Sequence, residues 1–304
     1  MKKRLMITGG SGFVGGHLLD QVKSNYDVTA TYHTSKYDVP GVHWQHIDLS
    51  DSESIKKAVS HSAPDAVVLT AALTSVDECE INRNLAFAVN VQSIDKWIEL
   101  SNTNNFRVVF VSTDMVYDGE HSFYTEDDPV APINYYGETK ILAEEKLRKS
   151  CHNYVIARAA LIYGTPLTRS NSFSQGILNR INLKQPVKLF HDQYRSPILV
   201  NNLAQALIEL CDNSFTGTVN LGGSQRINRY DFGNVMAHIF NFSTDLFQKI
   251  SMYDIETAAQ RPKDVSMDIK KAQSFLKTEF LNIEQGMRIS KADLDLDRSF
   301  SIIE

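Results

Sequence analysis

Tyr136 and Lys140 stand as Y-x-x-x-K, four positions apart, and on a helix they share one face. An ammonium near a phenol stabilises phenolate. The spacing therefore predicts a tyrosine whose pKa is drawn down towards a value useful for trading a proton with a carbonyl. Ser112-Thr113-Asp114 closes an apolar run upstream and offers a hydroxyl for the substrate oxygen, at the kind of strand end where open sheets bind ligands. Thr113, Tyr136 and Lys140 are the candidate catalytic residues, and Lys140 could also hold a nicotinamide ribose. Near the start the chain reads Thr8-Gly9-Gly10-Ser11-Gly12-Phe13-Val14-Gly15. Gly9 and Gly12 would let the backbone approach a pyrophosphate, Gly15 would let the next helix pack on the strand, and the helix N-terminus at Phe13 and Val14 would favour phosphate. Alone, Y-x-x-x-K is common on solvated helix faces, and a glycine-rich turn needs no ligand. Together and in this order they predict an enzyme that binds a nicotinamide dinucleotide and moves a hydride.

Such a site needs a scaffold, and the first half of the chain alternates apolar runs with helical periodicity. Strands are expected at Leu5 to Ile7, Asp27 to His33, Val42 to Asp48, Ala66 to Ala72, Arg107 to Thr113 and Tyr154 to Leu161. Helices are expected at Phe13 to Ser24, at Ser50 to Ser60 with Ser50 or Ser52 as N-cap, at Val76 to Val91 and at Ser93 to Asn102. Alternation of this kind predicts an α/β fold, a doubly wound parallel Rossmann sheet. The less regular second half holds a short strand at Thr218 to Leu221, a Gly222-Gly223 turn and a helix at Tyr230 to Phe240. It predicts a smaller C-terminal substrate-binding lobe. The expected division assigns 1–164 and 187–220 to the dinucleotide-binding domain, and 165–186 and 221–304 to the lobe.

The end of the second strand bears on NADP against NAD. A ribose-binding acid is expected about twenty residues after the glycine loop begins. The chain instead reads Ala30-Thr31-Tyr32-His33-Thr34-Ser35-Lys36, with no acid before Asp38. Hydroxyls, a histidine and a lysine accept a 2′-phosphate better than a carboxylate does. The reading favours NADP(H), with Thr31 and His33 as candidates, and leaves NAD(H) open. Asp48, with Leu49 beside it, is the candidate for the adenine amino group; its alternative role is to cap the following helix.

Composition excludes other classes. The chain has 304 residues, 42% hydrophobic and 22% charged, an ordinary globular balance, and a net charge of −5 gives no broad reason to bind nucleic acid. No apolar run approaches a membrane span, and Lys2-Lys3-Arg4 leads into a strand rather than a signal peptide. Cys79, Cys151 and Cys211 are widely spaced, suit a reducing cytosol and form no metal-ligand pattern, so a cytoplasmic protein with no required metal is expected.

These residues resemble the extended short-chain dehydrogenase/reductase family, in its dTDP-4-dehydrorhamnose reductase branch, along nearly the whole chain. The glycine loop is similar to T-G-x-x-G-x-x-G, residues 111–119 (VSTDMVYDG) to S-T-D-x-V-F-D-G, and Pro132 through Lys140 to P-x-x-x-Y-G-x-T-K. Residues 70–77, with Ala71 and Ala72, resemble the segment beneath the cofactor, and Asn90 the branch's helix asparagine. Asp192 to Pro197 resembles D-Q-x-x-x-P, and Arg261 to Asp268 resembles R-P-x-x-S-x-L-D with one extra residue. The resemblance implies reduction of a 4-keto-6-deoxy sugar on a nucleotide carrier. Tyr136 would give the proton, Lys140 would tune it, Thr113 would orient the carbonyl and Asp114 would sit against the sugar. Arg195 and Arg261 would meet the sugar or diphosphate, where arginine forks suit phosphate oxygens; their alternative is surface salt bridging. Arg195 stands where the branch usually has glycine, and residues 10–14 (GSGFV) look more like epimerases and dehydratases. Both departures leave the sugar open. A homodimer is a family-level expectation.

Two rivals remain. Dehydratases of the superfamily carry Asp-Glu after the threonine, but this chain has Asp114-Met115, and methionine transfers no proton. Epimerases with bound NAD use the same tyrosine and lysine. The methionine adenosyltransferase β subunit resembles this branch too and acts by binding.

Overall fold

The computed structural model describes residues 2–22, 25–296 and 299–303. Seven strands form one parallel sheet: β1 (Lys3–Thr8), β2 (Tyr26–Tyr32), β3 (Val42–His46), β4 (Ala66–Leu69), β5 (Arg107–Thr113), β6 (Tyr154–Ala159) and β7 (Gly217–Leu221). Their order is β7-β6-β5-β4-β1-β2-β3, and every pairing is parallel. The order reverses between β1 and β4, which opens the crevice where such sheets take ligands. The doubly wound Rossmann sheet is therefore as expected.

Helices cover both faces. α1 (Phe13–Val22) and a later helix, Val200–Asp212, pack Leu18, Leu19, Leu203 and Leu207 against Ile7, Val28 and Val68. On the other face α2 (Ser52–Ser62), α5 (Ser93–Asn104) and α6 (Tyr135–Ser150) bring Ile55, Trp97 and Leu147 onto Met6, Val67 and Val108. Buried on both sides, the central strands are near-continuous apolar runs. The N-cap of α2 is Asp51, whose carboxylate accepts from the Glu53 N–H at 2.9 Å, and not Ser50 or Ser52.

The expected helix from Val76 to Val91 is divided into α3 (Val76–Ile81), α4 (Arg83–Phe87) and a π-helical turn over Ala88–Gln92. Asn82 leaves helical dihedrals, at φ −111° and ψ 56°, and ends α3. The π-turn presents Asn90, a buried polar side chain that needs partners. The strand expected to reach Ala72 stops at Leu69, because the Thr70 and Ala71 N–H groups both donate to Thr8 Oγ1 at 3.1 Å. The helix expected to end at Ser24 runs Phe13–Val22, and its final residues lie outside the described ones.

The smaller lobe has its own core of Tyr163, Ile177, Leu189, Phe232, Met236 and Met287. It is built on α7 (Phe173–Asn182), α9 (Arg229–Phe240) and α11 (Ile283–Asp295), whereas α8, the helix already met at Val200–Asp212, and α10 (Lys270–Phe275) pack on the central sheet. Two expected boundaries shift. Val187–Phe190 pairs with Phe247–Ile250 and joins the lobe's core, since its alternate apolar residues face Phe232 rather than the sheet. Ile269, Ala272 and Leu276, expected in the lobe, pack with the central sheet's core.

Among the described residues no helix is long and apolar enough to cross a membrane, and the three cysteines are buried and unpaired.

One buried ion network ties α6 to the sheet. Glu144 is fully buried and accepts from Arg158 Nε at 3.1 Å and Nη2 at 2.8 Å, from Ser112 Oγ at 2.5 Å and from Arg148 Nη2 at 2.6 Å. Burial raises its pKa, but the Arg158 hydrogen bond and charge outweigh that and hold it below the usual carboxylate range. Removing one partner of a buried pair strands the other charge, at a cost of about 3–5 kcal/mol. Glu144→Ala should lose that much in denaturant unfolding. A loss under about 1 kcal/mol would mean the network does not anchor α6.

Candidate active site

The glycine loop joins β1 to α1. Gly9 takes φ +66°, and a Cβ on Gly15 would stand 2.1 Å from the Gly9 oxygen, so only a residue without a side chain lets α1 close on the strand end. Gly12 donates its N–H to the Gly9 oxygen at 2.9 Å. Such a turn leaves backbone, not side chains, facing the crevice, which fits a pyrophosphate. Phe13 is half-buried with its ring edge-on to His17 at 5.8 Å, and Val14 packs on the core.

Thr31 sits elsewhere than expected. It is fully buried beneath the loop and its hydroxyl accepts from the Gly9 N–H at 3.2 Å, so it props the loop and presents nothing to a 2′-phosphate. His33 is exposed at the strand end and stacks on His46 at 5.8 Å, with Thr34 beside it. Asp48 does not cap α2. Its carboxylate accepts from the Ser50 hydroxyl at 2.7 Å and N–H at 2.8 Å, which lowers its pKa. Leu49, Ala71, Ala72, Asn90 and Lys140 line one narrow cleft above β1 and β4. Asn90 accepts from the Leu73 N–H at 2.9 Å and donates to the Leu73 oxygen at 3.0 Å and to Thr139 Oγ1 at 3.2 Å. It thereby joins the segment after β4 to α6, the helix that carries Tyr136 and Lys140. Thr8, which opens the glycine motif, orients that segment through its hydroxyl, a role its place in the motif does not show.

Tyr136 and Lys140 lie in the first turns of α6, capped by Asn134, whose side chain accepts from the Gly137 N–H at 2.9 Å. A Cβ on Gly137 would stand 2.3 Å from the Met115 oxygen, so glycine lets α6 press against the turn after β5. That contact brings Tyr136 to Thr113. Ser112, the other hydroxyl at this strand end, is committed to Glu144. Burial raises the Tyr136 pKa above its ordinary value, the Thr113 hydrogen bond works against the rise, and the Asp114 charge adds to it. This reverses the lowered phenol pKa anticipated from the sequence. Lys140 Nζ donates to the Val111 oxygen at 2.7 Å and lies 4.0 Å from the Phe110 ring centroid, and it is no cause of the tyrosine's shift. A phenol held protonated is the form needed to give a proton.

Beyond Asp114 lies a cavity of about 710 Å³, lined by Met115, Phe173, Gln193, Arg229, Tyr253 and Arg261, with Lys188 and Lys263 also in its wall. Arg261 reaches it while donating to Asp77 at 2.7 Å and to the Ala259 oxygen at 2.7 Å. Arg195 does not line it. Only 1% exposed, it spends Nη1 on the Tyr194 oxygen and Nη2 on the Pro262 oxygen, and its Nε stands 3.7 Å from Asp114 Oδ2. Asp114 is buried beside it, its pKa raised by burial against the pull of Arg195 and Arg229. Arg229 was missed in the sequence, since a single arginine at a helix start carries no motif. Among the described residues no group of three or more His, Cys, Asp or Glu could hold a metal ion.

Burial lowers the Lys140 pKa from 10.5 to about 7, with Glu144 opposing. Folding therefore pays to bury its charge, fully below about pH 7, and the penalty fades as pH rises towards 10.5, where the unfolded lysine also loses its proton. Lys140→Met should raise the Tm of the unliganded protein at pH 6, and the gain should vanish near pH 10. A lower Tm than wild type at pH 6 would show a buried lysine stabilised by contacts that outweigh its desolvation.

The sequence profile of the RmlD substrate binding domain matches residues 2–292. A probable low-salt glycan biosynthesis reductase of Haloferax volcanii is 28% identical over 276 residues, covering 89% of this chain and 91% of the relative. A dTDP-4-dehydrorhamnose reductase of Aggregatibacter actinomycetemcomitans is 26% identical over 282 residues, covering 89% and 92%. The mouse methionine adenosyltransferase 2 subunit beta is 23% identical over 280 residues, covering 90% and 82%. The crystal structure of dTDP-4-dehydrorhamnose reductase from Bacillus anthracis, in complex with NADP, superposes with a TM-score of 0.86 at 23% identity, over 96% of this chain and 100% of that one. A profile that runs from the first strand to the last helix, on the sheet and glycine loop just described, makes this chain a member of the RmlD substrate binding domain family, as its resemblance to the dTDP-4-dehydrorhamnose reductase branch implied.

Proposed function

We propose that this protein is an NADPH-dependent reductase of a nucleotide-linked 4-keto-6-deoxy sugar. The observation that carries the reading is a half-buried, protonated Tyr136 set against Thr113 at the carboxyl end of β5, with a cavity beyond Asp114 whose wall holds Lys188, Arg229, Arg261 and Lys263 against Asp118 and Glu120. Two reductases among the relatives, and a neighbouring fold with NADP bound, support the class.

Gly9, Gly12, Phe13, Val14 and Gly15 would hold the pyrophosphate of the dinucleotide. Ala71, Ala72, Asn90 and Leu49 would form its bed, Asp48 would meet the adenine, and His33 with Thr34 and Lys36 would take the 2′-phosphate. NADP(H) is favoured because no acid stands at the end of β2, and NAD(H) is the second choice. Bound NADPH supplies the hydride. Thr113 bonds and orients the carbonyl oxygen, and Tyr136 gives that oxygen a proton. Lys140 holds the ribose, and its ammonium offsets the charge left on the phenolate. Asp114 sits against the sugar, and Arg261 meets the diphosphate at the cavity wall. Met115 lines the cavity where a dehydratase would need a second acid, and it can transfer no proton.

A second reading is favoured by the methionine adenosyltransferase β relative: a subunit that binds and does not turn over. Intact Thr113, Tyr136 and Lys140 argue for turnover. Following NADPH absorbance with a dTDP-4-keto-6-deoxyhexose, and NADH in parallel, separates the readings. Loss of signal with NADPH supports the reductase; cofactor binding without loss across a panel of keto sugars supports the subunit. Tyr136→Phe should bind NADPH normally and turn over about 100- to 10,000-fold more slowly. Normal turnover in that variant would remove Tyr136 as proton donor.

A further inference from the structure

Three arginines gather beside the strand end that carries Thr113, and they are not equivalent. Arg195 is consumed by two backbone oxygens and Asp114. Arg261, which would meet the diphosphate at the cavity wall, already spends Nη1 on the Ala259 oxygen and Nη2 on Asp77, which leaves it Nε. Among the described residues Arg229 donates through Nε alone, to Gln193 Oε1 at 3.1 Å, and its guanidinium carbon stands 4.4 Å from the Phe173 ring centroid. Its Nη1 is shielded from solvent with no hydrogen-bond partner, and Asp114 Oδ2 is likewise buried without one. Arg229 lines the 710 Å³ cavity and enters none of the ion pairs among the described residues.

A donor and an acceptor left unmet in one buried cluster describe the ligand that would meet them. With Arg195, Arg229 and Asp114 ionised, the cluster carries one excess positive charge, which is costly away from water unless an anion arrives. Burial and then the Arg195 charge lower the Arg229 pKa to about 9, with Asp114 opposing. The missing partners are an oxyanion for the guanidinium and a hydroxyl donor for the carboxylate. In a sugar nucleotide these are neighbours: the C2 hydroxyl stands one carbon from the anomeric phosphate ester.

We propose that Arg229 is a specificity-determining residue that binds the sugar-proximal phosphate of a nucleoside diphosphate sugar, while Asp114 accepts from the hydroxyl vicinal to it. This rests on the reading of the cavity as a nucleotide-sugar site. It gives the anion-binding role to Arg229 in place of Arg195, which acts as a positioning residue behind Asp114. The competing arrangement is a direct Asp114–Arg229 pair with a purely structural role.

Titration calorimetry on the full chain saturated with NADP tests it, with dTDP, UDP and the matching monophosphates as probes. The monophosphates lack the phosphate that Arg229 would hold. Wild type should prefer a diphosphate. Arg229→Gln should weaken that binding about 10- to 100-fold, leave the monophosphate nearly unchanged, and keep wild-type NADP affinity; Arg229→Lys should fall between. Asp114→Asn should bind the free diphosphate normally but lose the preference for dTDP-glucose over its 2-deoxy analogue. Unchanged diphosphate binding in Arg229→Gln, with a lowered Tm, would overturn the proposal in favour of the structural pair. A wild type indifferent to the second phosphate would also overturn it, and NADPH oxidation by the same preparation with a keto sugar would show that the reductase reading survives.

Discussion

The site depends on where one carboxylate is spent. Glu144 lies on the same face of α6 as Tyr136 and Lys140, fully buried, and Arg158, Ser112 and Arg148 occupy it. That network locks α6 against β5 and β6, and Gly137 against the Met115 oxygen sets the depth of its first turn. A second consequence is electrostatic. With Glu144 committed to Arg158, Lys140 is left with a backbone oxygen and an aromatic face and no carboxylate in hydrogen-bond contact. Desolvation then dominates both candidate catalytic groups: it raises the phenol and lowers the ammonium. An enzyme that must give a proton gains from a phenol that keeps it.

Much of this was legible in the sequence, for physical reasons. Strand-helix alternation and the glycine spacing report on backbone geometry, which is local, so the sheet, the loop and the Y-x-x-x-K helix could be read directly. Side-chain commitments are not local. Thr31 lies where a cofactor contact was expected, yet β1 and β2 are neighbours and its hydroxyl is taken by Gly9. Ser112 and Thr113 look alike in sequence, and only the folded chain gives one to Glu144 and sets the other between Asp114 Oδ1 and the Met115 N–H. The helix expected over Val76 to Val91 has helical periodicity throughout; what divides it is Asn82 and the demand of buried Asn90 for Leu73 and Thr139.

The substrate side was less legible than the cofactor side. A net charge of −5 conceals a cavity whose wall holds Lys188, Arg229, Arg261 and Lys263 against two acids, Asp118 and Glu120. These come from separate stretches of the second half, and Arg195, which stands where the branch usually has glycine, turns inward. The glycine loop is built from backbone and small residues in one stretch, whereas the cavity wall is assembled from segments far apart in sequence. Similarity both to a reductase and to a methionine adenosyltransferase β subunit fits one fold that serves more than one role.

The central claim is that hydride leaves NADPH for a sugar carbon while Tyr136 supplies the proton. The most direct test is to incubate the protein with NADPH deuterated at C4 on the transferring face and a dTDP-4-keto-6-deoxyhexose, then locate the label by mass spectrometry and NMR. The account predicts one deuterium at C4 of the sugar for each NADP⁺ formed. Unlabelled sugar with the dinucleotide unchanged would contradict it.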